Sequence, residues 1–84
     1  MHITLKLFAS LTDYLPPAAK YTNFVELEVA DGATITQVTE PYQLPQKLVH
    51  LVLVNGHYIA PEQRASKVLL EGDVLAIWPP IAGG

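Results

Sequence analysis

Apolar residues in this sequence recur at every second position, in short runs closed by turn formers. In "HITLKLFA", Ile3, Leu5 and Leu7 fall on one side, with His2, Thr4, Lys6 and then Phe8 on the other. In "FVELEVA", Val25, Leu27 and Val29 alternate with Glu26 and Glu28. Successive side chains of an extended chain point to opposite faces, so a period of two is the mark of a half-buried strand. The first run predicts a strand over 2–9, and the second a strand ended by Asp31-Gly32. "VHLVLV" then meets Asn55-Gly56, the strongest short hairpin signal, and "HYIA" follows, so strands three and four form a hairpin. Glu71-Gly72-Asp73 turns into "VLAIW", a fifth strand over 74–78. Pro79 and Pro80 end it, since neither can donate a ladder hydrogen bond.

Helical signal is weaker and interrupted. Thr34 with Gln37 three residues on has capping-box spacing, with Ile35 and Val38 as the buried pair, but Pro41 limits the helix to about 35–40 and Pro45 closes the region. Ser10 and Asp13 share that spacing, yet Pro16 and Pro17 stop any helix after about one and a half turns, leaving a connector. The order strand, strand, helix, strand, strand, strand predicts an α+β fold. Its architecture is a mixed five-stranded sheet around one short helix, the β-grasp arrangement shared with ubiquitin. A right-handed crossover sets the last strand parallel to the first at the sheet centre.

With 84 residues there is room for one domain, expected as a β-grasp body over 1–78 followed by a flexible tail over 79–84. Half the residues are apolar, enough for a core without staples, and cysteine is absent, which excludes disulfides, zinc-thiolate clusters and a thiol nucleophile. The eight acidic and five basic residues give a formal net charge of -3, with Lys6, Lys20, Lys47, Arg64 and Lys67 scattered. That pattern argues against nucleic acid as a partner. No run approaches the roughly 20 apolar residues of a membrane span, and the start lacks a secretion signal, so a cytoplasmic protein without a membrane partner is expected.

Two strands carry apolar residues on both faces. Val49, Leu51 and Leu53 oppose Val52 and Val54, while Leu75 and Ile77 oppose Val74, Ala76 and Trp78. One short helix covers only one face of a sheet. The other face, read as His50, Val52, Val54, Ala76, Trp78 and Phe8, is then either an exposed docking patch or core beneath a loop such as 10–23.

Beyond the body, Pro79-Pro80 imposes extended geometry on a tail of up to roughly 20 Å. Gly83 and Gly84 lack a β-carbon and can thread a passage too narrow for other residues. The reactive group of this end is a carboxylate, ionised at neutral pH and a poor electrophile. An ATP-dependent partner that converts it to an acyl adenylate supplies a leaving group. A sulfur nucleophile then yields a thiocarboxylate, whereas an amine yields an amide or isopeptide bond.

"LLEGDVLAIWPPIAGG" resembles the C-terminus of the MoaD/ThiS family of ubiquitin-like sulfur carriers; "LVNGHYIAPEQ" is similar to that family's hairpin and "LKLFASLTDYLP" to its opening strand and turn. Pro-Pro before the last four residues is more like the small subunit of molybdopterin synthase than the thiamine-pathway carrier. The resemblance implies a thiocarboxylate at Gly84 that donates sulfur to a pterin precursor inside a partner's active site. It further implies two partners, a ubiquitin-activating-type adenylating enzyme that uses ATP and a molybdopterin-synthase large-subunit-like protein. The contacts expected with them are Pro79, Pro80, Ile81, Ala82 and Gly83 of the tail, with Trp78, Val52, Val54 and Phe8 of the patch. Pro41 and Pro45 depart from the family's longer central helix, which leaves open a tungsten-cofactor variant or a carrier for another sulfur-containing product.

His2, His50 and His57 have no ligand-like spacing, so no metal site is expected, and Glu26 with Glu28 reads as a solvated strand face. Gly32, Gly56 and Gly72 belong to separate turns rather than to a phosphate loop, and no bound cofactor is expected. Arg64 and Lys67 read as solvated or as salt-bridge partners of another protein. Without nucleophile, base or cofactor motif, the chain reads as substrate and subunit rather than a complete enzyme. Two alternatives remain: a ubiquitin-like modifier that uses the same activated Gly84, and a plain interaction domain with an inert tail.

Overall fold

The computed structural model describes residues 1–80. Five strands form one sheet: β1 (His2–Leu7), β2 (Phe24–Glu28), β3 (Leu51–Val54), β4 (His57–Tyr58) and β5 (Val74–Trp78), in the spatial order β2-β1-β5-β3-β4. Every neighbouring pair is antiparallel except β1 with β5, which is parallel and central, as the strand order leads one to expect. This is the β-grasp arrangement. The first strand ends at Leu7 rather than at residue 9, because Ala9 takes a left-handed φ of 53° and opens a 3₁₀ turn over Ala9–Tyr14.

Helix α1 (Ile35–Thr39) starts where the capping box places it: the Gln37 N–H donates to Thr34 Oγ1 at 3.2 Å, and the Thr34 N–H donates to Gln37 Oε1 at 2.9 Å. The helix gives way at once to a 3₁₀ turn, Glu40–Tyr42, in which Pro41 has no N–H to continue the ladder. By contrast, the Ser10–Asp13 spacing forms no cap; the Ala9–Tyr14 turn carries no side-chain capping bond, and Thr12 Oγ1 donates instead to the Ala9 carbonyl.

One face of the sheet packs on α1 to make the core. Ile3, Leu5 and Leu7 of β1, Leu75 and Ile77 of β5, and Ile35 and Val38 of α1 are buried there. Leu11 and Leu15 from the connector join the same cluster, so the apolar side of that connector faces the core rather than the far face of the sheet. Val52 and Val54 are also in this cluster, at 0% and 5% exposure. That corrects the face expected for them: Val52 pairs with Ile77 and Val54 with Leu75, and directly opposed residues share a face.

Two polar devices hold the hairpin. Asn55 and Gly56 both have positive φ, 51° and 84°, the signature of a type I′ turn whose twist matches its strands. Arg64, expected to be solvated or to pair with another protein, instead donates from Nε to the Ile59 carbonyl at 3.2 Å, from Nη1 to the Val49 carbonyl at 3.2 Å and from Nη2 to the His50 carbonyl at 3.1 Å. Its guanidinium thus ties the entry of β3 to the segment leaving β4.

Candidate functional site: an uncovered sheet face leading to the tail

The register fixes which side chains share the face that α1 does not cover. One row crosses all five strands: Phe24, Lys6, Ala76, Leu53 and Tyr58, through the pairs Lys6–Phe24, Lys6–Ala76, Leu53–Ala76 and Leu53–Tyr58. The next row toward the C-terminal end of β5 holds Trp78 opposite Leu51, with Phe8 alongside. The indole of Trp78 and the ring of Phe8 stack, with centroids 4.1 Å apart and planes 2° from parallel. Such a pair contributes about 0.5–1.5 kcal/mol beyond its buried area and fixes both rings. The opposite row, Glu26, Thr4 and Val74, is more polar.

Phe8, Leu51, Leu53 and Trp78 are half-exposed, Phe24 and Tyr58 are exposed at 42% and 58%, and Ala76 is buried among them. This is a contiguous apolar surface, not a scatter of single side chains. Of the patch residues expected from the sequence, Phe8, Ala76 and Trp78 lie on it. Val52 and Val54 lie beneath it in the core, and His50 is exposed at the entry to β3, where its N–H donates to the Trp78 carbonyl at 3.1 Å. Leu51, Leu53, Tyr58 and Phe24 were missed. The Asn55-Gly56 turn already sets Val54 against His57, but the β3–β5 register that places Leu51 beside Trp78 has no local sequence signal.

Trp78 is also the last residue of β5, so the chain leaves the sheet at the aromatic edge of this face. Pro79 is half-buried and Pro80 exposed. Ile81, Ala82, Gly83 and Gly84, expected to contact partners and to carry the reacting group, lie outside the described residues. Arriving at Trp78 in the right position depends on the start of β5, where Asp73 is 9% exposed. Its Oδ2 accepts from the Leu70 N–H at 2.8 Å and its Oδ1 from Asn55 Nδ2 at 2.8 Å, while Asn55 Oδ1 accepts from the Val74 N–H at 2.8 Å.

The rest of the surface is less suited to chemistry. An open groove of about 760 Å³ beside α1 is lined by Val29, Asp31, Val38, Glu40 and Pro41, with no nucleophile or cation. Burial pushes the Tyr42 phenol above its ordinary value, so it stays neutral at physiological pH. Among the described residues no group of three or more His, Cys, Asp or Glu is placed to hold a metal ion, and no helix is long and apolar enough to cross a membrane.

The small β-grasp body, with its apolar sheet face ending at Trp78 and Pro79, places the chain in the ubiquitin-like fold class. The chain belongs to the ThiS family, whose profile matches residues 6–84. No curated protein matches the sequence. Among solved structures, SAMP1 from Haloferax volcanii is similar with a TM-score of 0.71 at 24% identity, covering 100% of both chains. A protein described as putative molybdopterin converting factor subunit 1 from Pyrococcus furiosus has a TM-score of 0.69 at 20% identity, covering 96% of this chain and 99% of its own. Subunit 1 or 2 in the complex of molybdopterin-converting factor from Helicobacter pylori matches with a TM-score of 0.62 at 19% identity, covering 100% of both chains. These likenesses establish the shared fold.

Proposed function

We propose that the chain is a sulfur carrier in which residues 1–78 form a docking body and residues 79–84 a tail charged at Gly84. The observation that carries this is positional: β5 delivers the chain from the Phe8–Trp78 stack straight into Pro79-Pro80, so one partner can hold the apolar face and receive the tail at once. Family membership supports the same reading.

Charging proceeds in two steps on a ubiquitin-activating-type adenylating enzyme. The Gly84 carboxylate oxygen attacks the α-phosphorus of ATP and displaces pyrophosphate, giving an acyl adenylate. Hydrosulfide, as the sulfide-level donor, then adds to the carbonyl carbon, AMP leaves with the C–O electron pair, and loss of the S–H proton to water leaves the terminus as a thiocarboxylate. Glycine leaves that carbon unhindered. The catalytic groups belong to the partners, and ATP-dependent charging makes the cytoplasm the natural compartment.

The discharge partner is a molybdopterin-synthase large-subunit-like protein, with sulfur passed to a pterin precursor. Pro79-Pro80 before the last four residues favours this pathway over the thiamine route. The test is pyrophosphate exchange into ATP by the adenylating enzyme. Exchange that depends on this chain and disappears when Gly83 and Gly84 are deleted supports the reading; equal exchange with the truncated chain refutes it. Adducts on lysines that resist reduction would point instead to a protein modifier, as the name of the Haloferax volcanii small archaeal modifier protein 1 indicates for that protein.

A further inference from the structure

Lys6 stands in the middle of the apolar face. It is half-exposed on β1, opposite Phe24 on one side and Ala76 on the other, with Phe8 two residues along the chain, just past the end of β1. The two rows of the face nearest the tail hold no other charge: their remaining members are Phe8, Trp78 and Leu51, then Phe24, Ala76, Leu53 and Tyr58. Among the described residues Lys6 makes no ion pair and its ammonium no hydrogen bond to protein. Glu26 is the nearest acidic position on this face, diagonal to Lys6 across β1–β2, and it too is outside ion-pair distance.

Half-exposed in the free chain, Lys6 is open to solvent. When an apolar partner surface closes over the face, the water is lost, and an ammonium buried without a partner costs several kcal/mol. A surface that is apolar throughout is therefore rejected, and one that brings a carboxylate to this point is accepted. The same charge opposes pairing of two copies: in a symmetric dimer through this face, each Lys6 would be buried near its mate, where like charges repel.

We propose that Lys6 determines specificity on the docking face, by selecting a folded partner whose apolar patch carries an Asp or Glu carboxylate opposite its ammonium. This rests on the reading that the face docks the adenylating enzyme. Lys6 lies between Phe24 and Ala76 in the register, and its charge supplies the polar anchor that orients the two surfaces.

The experiment titrates the purified adenylating enzyme, without ATP, into wild-type chain and into Lys6→Met, Lys6→Arg and, as a control on an exposed turn, Lys47→Met. Lys6→Met is expected to weaken binding roughly 30-fold or more, because it leaves the partner carboxylate buried and unpaired. Lys6→Arg should stay within about fivefold of wild type, and Lys47→Met should match it. Denaturation midpoints taken in parallel show that each variant is folded. Sedimentation adds an independent readout: Lys6→Met should self-associate at concentrations where the wild type does not. Equal affinity for Lys6→Met and wild type overturns the proposal while leaving the docking face intact. A wild-type dimer buried through Lys6 also overturns it. An enzyme that is neither bound nor prompted to pyrophosphate exchange by the wild type overturns the carrier reading and this proposal together.

Discussion

Replacing Asp73 with Ala tests whether the clamp at the start of β5 sets the path of the strand that leads to the tail. Asp73 is 9% exposed and accepts two hydrogen bonds of 2.8 Å, from the Leu70 N–H and from Asn55 Nδ2. Bonds to an ionised acceptor contribute about 1.5–3 kcal/mol each, but both donors recover part of that by turning to water. The expected loss for Asp73→Ala is therefore about 3 kcal/mol. Against a total of about 5–15 kcal/mol for a domain this small, that is a large fraction, and it lowers Tm by about 15 °C. The assay is guanidinium denaturation followed by the emission of Trp78, the one tryptophan in the chain. The midpoint should fall with the m-value unchanged. Because Asn55 also accepts from the Val74 N–H at 2.8 Å, Asn55→Ala and Asp73→Ala should couple by about 1 kcal/mol or more in a double-mutant cycle. A loss under about 1 kcal/mol, or strict additivity, would refute the clamp.

Arg64→Met removes three donations to the carbonyls of Ile59, Val49 and His50; stability should drop by about 2 kcal/mol in the same denaturation assay, with adenylating-enzyme affinity unaltered at temperatures where the variant is folded. Val52→Ala opens a cavity beneath the sheet and should cost about 2 kcal/mol in stability with little change in docking, the reverse of what a surface contact would do. Trp78→Ala, which removes half of the aromatic stack on the open face, should weaken binding of the adenylating enzyme by roughly tenfold or more in calorimetry.

The sheet was legible because its information is local. Period-two runs, Asn55-Gly56 and Pro79-Pro80 mark each strand and its end, and Thr34 with Gln37 marks the helix start; the β5 bounds of Val74–Trp78 follow from Gly72-Asp73 on one side and proline on the other. What escaped was nonlocal. Alternation in "LVLV" announces two apolar faces without saying which meets α1, since that depends on Val52 falling opposite Ile77 in a neighbour more than twenty residues away. Arg64 looked solvated for the same reason: its three carbonyl partners belong to segments brought together only by the hairpin and the turn after it. The cation within the apolar face likewise emerges only when Lys6 is read across the strands, between Phe24 and Ala76.

In the proposed function Gly84 carries the transferred sulfur and the sheet is its handle. The most direct measurement is the intact mass of the chain after incubation with its adenylating enzyme, ATP and a sulfur donor, with fragmentation to locate any change. A sulfur carrier should show one oxygen replaced by sulfur at Gly84, only when ATP is present. A chain whose terminus stays a carboxylate while the enzyme demonstrably consumes ATP on it, or whose sulfur maps elsewhere, would contradict it.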